Sequence, residues 1–155
     1  MANTIHIIPF ALPPDADRYN TDPSTDRVRH PGTGNLFFLV VEGTGGTGTA
    51  AITVNTYAAA AGGAGTAIAF EYKTVTSGAD FDTAGGYTTA TTSGVTPAAG
   101  ATKTTLVKVR YDQVTEGEPF VELTLTEGVD SPVDAAVIAF CDDPPRPNAG
   151  VSLLS

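Results

Sequence analysis

The chain has 155 residues, enough for one domain with a core of its own. Its 17 Gly and 11 Pro argue against a helical bundle, and its single Cys excludes a disulfide framework and any multi-thiolate metal site. Seventeen acids against eight Lys and Arg give a net charge of −9, which opposes nonspecific binding to nucleic acid or to an anionic membrane.

Residues 4–8 read as an edge strand, since the short apolar run has no basic segment before it and is broken by Pro9. On this reading the chain begins near Met1 and needs no export. Residues 12–34 hold four Pro, scattered Asp and Arg and little apolar content, and are expected to form an extended loop. The run 36–41 is apolar on both faces, which fits a central strand or one covered by a partner subunit. Residues 43–48 have a loose glycine pattern, but neither a Lys nor a helix follows, so a hairpin turn is expected rather than a phosphate loop.

Alternation then dominates. Ile52 and Val54 share one face of the segment 52–57, and Ile68, Phe70 and Tyr72 share one face of 68–73, with Glu71 and Lys73 opposite. The Thr/Ala/Gly stretch 76–105 predicts a short strand or hairpin between long loops. In 106–111, Val107, Val109 and Tyr111 are expected inside, with Lys108 and Arg110 in water. Val121, Leu123 and Leu125 mark another half-buried strand, and 135–140 is a second run apolar on both faces. The sum is an all-β protein: an antiparallel sandwich or small barrel of seven or eight strands over residues 1–140. Residues 141–155 form an extended Pro-rich arm held open by Pro144, Pro145 and Pro147.

Candidate chemistry is sparse. His6 and His30 lie apart and read as structural residues, and Cys141 reads as a small buried hydrophobe. Asp15, Asp17, Asp22, Asp26, Asp130, Asp134, Asp142 and Asp143 have no calcium-loop spacing, and Asp beside Pro or Ser is ordinary turn chemistry. Carboxylate pairs suited to sugar hydrolysis lack the Trp platforms that usually accompany them. No catalytic residue, cofactor or metal site is expected, and the chain is read as a non-enzyme. The candidate contacts with a partner lie outside the expected core: Arg18, Arg27, Arg29 and Arg146, whose guanidinium forks suit carboxylates, and Val151, Leu153 and Leu154 as apolar anchors.

The phrase Ile8-Pro9-Phe10-Ala11-Leu12-Pro13, followed by residues 17–23 (Asp-Arg-Tyr-Asn-Thr-Asp-Pro), resembles the opening of small virion proteins of tailed bacteriophages. The apolar run 36–41, the Gly-Thr-Gly turn, the Thr-rich segment 49–56 and the segments 66–73 and 125–134 are similar to recurring elements of that group. The likeness runs from about residue 8 to 140 and leaves out 142–155. It implies a capsid decoration, or cement, protein on the outer surface of the virion, made in the host cytoplasm. Its implied partners are the major capsid protein and neighbouring copies of itself, with no nucleic acid and no membrane. The alternatives are a tail or fibre component and, from another class, a carbohydrate-binding sandwich.

Overall fold

A computed structural model describes residues 6–15, 20, 22–43, 47–76, 79–100, 102–129 and 132–142. Ten strands are assigned: β1 (His6–Asp15), β2 (Val28–Arg29), β3 (Asn35–Glu42), β4 (Thr49–Tyr57), β5 (Thr66–Ala67), β6 (Phe70–Thr76), β7 (Thr88–Ala90), β8 (Lys103–Arg110), β9 (Phe120–Val129) and β10 (Ala135–Cys141). They form two antiparallel sheets, a six-stranded one in the order β1-β10-β3-β8-β6-β7 and a four-stranded one in the order β2-β9-β4-β5. The fold is a β-sandwich, and the sheets do not close into a barrel. Three of the strands have only two or three residues, which accounts for the excess over the seven or eight expected.

Period-two patterning builds the core. Leu36, Phe38 and Val40 of β3, Val107 and Val109 of β8, and Val137 and Ala139 of β10 point inward from one sheet. Ile52, Val54, Val121, Leu123 and Leu125 meet them from the other. Each of these side chains is withdrawn from water, at about 25 cal/mol per Å² of apolar surface removed. At one end of the inner face, Glu42 and Lys103 sit opposite each other on β3 and β8 and pair at 3.4 Å, both buried.

Several expectations are corrected. Residues 12–34 are not a single loop outside the core. Leu12 is buried within β1, an edge strand whose pairing with β10 slips twice around its Pro residues, as Pro on an edge permits. Residues 22–30 run along β9 and bury Thr25, Val28 and His30. The 43–48 connection is no hairpin, because β3 and β4 lie in opposite sheets; Thr44, Gly45 and Gly46 lie outside the described residues. Tyr111 is 58% exposed, since the chain leaves β8 at Arg110 for a 3-10 turn over Tyr111–Gln113. Gly94 is a required glycine: its φ is +79°, and a Cβ there would strike the Ile52 carbonyl to which Val95 hydrogen-bonds.

The last strand lies between the first and the third, His6 facing Cys141 and Cys141 facing Leu36. The two runs apolar on both faces are therefore neighbours, β3 and β10, with their inner sides covered by the second sheet.

Candidate functional site

Residues paired across an antiparallel ladder share a face, so the register of the six-stranded sheet defines the rows of its outer surface. One row runs Ile7, Phe140, Phe37, Lys108, Glu71. The next runs Ile138, Leu39, Leu106, Lys73, and a third runs Ala136, Val41, Thr104, Val75. Every row is apolar over β10 and β3 and turns polar or charged toward β8 and β6, except at Leu106 and Val75. Ile7 is 65% exposed and Val41 37%, while Phe37, Leu39, Ile138 and Phe140 are half-buried. Phe37 and Phe140 stack with centroids 5.0 Å apart and planes at 14°. An antiparallel sheet with one face on the core ordinarily shows water a polar second face. Over β10 and β3 this one shows hydrocarbon.

The charged half is internally paired. Glu71 forms an ion pair with Lys108 at 2.9 Å and accepts from Arg110 at 2.8 Å, and Arg110 also grips Asp112 at 2.9 and 3.1 Å. That fork holds the Asp112 carboxyl below its ordinary range. The ammonium groups of Lys73 and Lys108 each lie 4.8 Å from the centre of the Tyr87 ring. Burial raises the Tyr87 hydroxyl above its usual pKa, with Lys108 acting against it.

Comparison with known protein families, curated protein sequences and solved structures returns no match.

Of the residues expected to meet a partner, Arg18, Arg146, Val151, Leu153 and Leu154 lie outside the described residues. Arg29 is exposed on β2 beside Phe120. Arg27 is folded inward. Its guanidinium lies 3.4 Å over the Tyr57 ring, donates to Glu122 at 3.3 Å and holds the carbonyls of Ala59 (3.0 Å) and Gly62. Tyr57 in turn donates to Glu122 at 2.7 Å, and burial followed by that carboxylate raises its pKa. The ring sits so close to Gly65 that a Cβ at that position would collide with it. Arg27 thus ties the 58–63 loop to the sheet, with only 13% of its side chain exposed.

His30 is buried, its Nε2 3.2 Å from the Val109 carbonyl and its Nδ1 accepting from the Gly32 amide at 3.2 Å. Burial lowers its pKa, against the opposing pull of Val109 and Asp142. Cys141 is buried and not in a disulfide. Asp22 accepts from the Glu127 amide and Asp142 accepts twice from Asn35, so these acids brace backbone. Among the described residues no three His, Cys, Asp or Glu gather as metal ligands.

Concavities occur at two places among the described residues. One of about 410 Å³ lies beside Arg27, Ala60 and Glu122, and another of about 620 Å³ runs along residues 111–119. In the second, Glu118 accepts from Thr56 at 2.7 Å and from Thr66 at 3.1 Å, which makes it a brace between β4 and β5. One sign of the outer face is legible in the sequence, the two doubly apolar runs. Their adjacency needed the topology.

Proposed function

We propose that the chain is a non-catalytic structural protein of a tailed-bacteriophage virion, a decoration protein bound to the outside of the major capsid protein shell. One observation carries this reading: the most prominent feature of the described surface is an apolar sheet face suited to another protein, whereas the residues lining both concavities include framework braces. The resemblance of residues 8–140 to small virion proteins supplies the setting. The acidic balance favours the outer surface over the DNA-filled interior, where −9 would be repelled. Contact with the shell falls to Arg29 and to the arms bearing Arg18, Arg146, Val151, Leu153 and Leu154, with Arg27 holding the scaffold behind them. Many copies on a symmetric shell let weak contacts add.

The test is mass spectrometry of purified virions together with electron microscopy using a label specific for this protein. Stoichiometric amounts on the head are expected. Label confined to the tail would move the protein to the tail or fibre, and its absence from the particles would overturn the reading.

A further inference from the structure

We propose that the outer face of the six-stranded sheet is the interface of a homodimer, in which β10 and β3 of two copies stack face to face across a two-fold axis. This goes beyond the virion reading and does not depend on it.

The first argument is from area. At ~4.8 Å between strands and ~3.4 Å per residue, β1, β10, β3 and β8 together present a face roughly 19 by 24 Å. Its apolar part, β10 and β3 with Ile7 and Leu106 at the margins, is roughly 14 by 24 Å, within the ~300–600 Å² of the largest apolar patch of an ordinary monomer, and the polar positions of β8 form a rim. The whole face, doubled across a two-fold and with side-chain relief added, comes to the ~1,000 Å² at which specific interfaces begin. Sheets with apolar faces pack ~10 Å apart with interdigitating side chains, and the stacked pair Phe37–Phe140 and the row Ile138–Leu39–Leu106 supply the relief.

The second argument is from charge. Two chains of net charge −9 repel unless they meet where carboxylates are few or neutralised. In the three rows from β10 to β6, Glu71 is the only carboxylate, and Lys108 and Arg110 both pair with it. The four-stranded sheet is the opposite case, with Glu122 and Glu127 on β9 and Asp22 and Glu118 bonded beside it. Within those three rows a copy of this chain can approach without setting acid against acid; Asp142, one row beyond at the end of the face, is held by Asn35.

The third argument is from symmetry. A two-fold axis along the strands, between β10 and β3, lays the apolar half of each copy on that of the other. It sends Lys73, Lys108 and Arg110 of the two copies to opposite rims, so the like charges stay apart. An interface of this kind uses each residue twice, so a single substitution counts on both sides.

Sedimentation velocity of the full chain from about 1 to 200 µM, a range that brackets micromolar affinity, tests this. The expected mass at the upper end is twice the 15.8 kDa of one chain. Leu39→Thr with Ile138→Thr keeps β-forming residues at both positions and should weaken association roughly a hundred-fold, with far-UV circular dichroism unchanged. Should that pair fail to fold, Val41→Lys at an already exposed position gives the same reading. Thr126→Lys, exposed on β9, should leave the dimer intact. A monomer throughout, a dimer indifferent to the outer-face variants, or one dissolved by Thr126→Lys would overturn the proposal. So would association seen only after residues 143–155 are removed, since the chain's own tail would then be the occupant. The readout is mass in solution: a dimer missing from virions refutes the decoration reading alone, and a monomer found on virions refutes the dimer alone.

Discussion

His30 makes both of its hydrogen bonds only as the neutral tautomer with the proton on Nε2, because Nδ1 must accept from Gly32. Its pKa is lowered in the folded chain, so between that value and 6.5 the unfolded chain binds more protons. The stabilisation is complete above pH 6.5 and is lost as the pH falls from there through the folded pKa. Urea midpoints measured from pH 7.5 to pH 5 should decline, and His30→Gln should flatten that decline; an unchanged slope would separate His30 from the acid response. Asp112, whose pKa is lowered by Arg110, acts only in a more acid window around and below 3.8. At Arg27 the expectation is that Lys fails as a substitute. A single ammonium cannot stack on Tyr57, meet Glu122 and bridge two carbonyls together, so Arg27→Lys should cost about 1–2 kcal/mol in chemical denaturation. If Arg27 were chiefly a partner contact, the stability of the isolated chain would stay unchanged.

Residues 22–30 show how an element can escape notice. Here side chains replace part of the ladder: Thr25 Oγ1 accepts from the Leu123 amide at 3.1 Å, Asp22 from Glu127 at 2.7 Å, and Ser24 meets Thr124 at 3.0 Å. Polar residues between two Pro look like a loop, and only the neighbouring β9 turns them into an edge. The central strands were legible because period-two burial is written in their own residues. Pairing was not: a glycine-rich turn at 43–48 says that the chain reverses, not that it changes sheet. The apolar outer face was half legible, as two runs with no polar side, while their meeting depended on which strand sits beside which. Thr25→Val preserves shape and removes the acceptor, leaving the buried Leu123 amide unsatisfied. A loss of about 1–3 kcal/mol in thermal or urea unfolding is expected. A neutral result would mean that the segment peels away from β9 at little cost.

For the whole molecule, the sandwich ends where Asp142 accepts from the Asn35 backbone at 2.7 Å and from its side chain at 2.7 Å. A chain cut after Asp142 should keep its melting temperature within ~2 °C, since every core residue among the described ones is retained, yet bind shells lacking the protein less well. Equal occupancy by the cut chain would clear residues 143–155 of any part in attachment. A fall in melting temperature would show instead that they pack on their own core.

The place of β10 also has a kinetic side. Of the described strands the ribosome makes this one last, yet it must enter between β1 and β3, which come far earlier in the chain. Until then β3 offers an open ladder edge and an uncovered apolar flank, the state most exposed to wrong pairing with another chain. Pairings this distant in sequence also fold slowly, because loop closure costs entropy before any contact compensates it. Commitment to the native sheet therefore waits until β10 has been made.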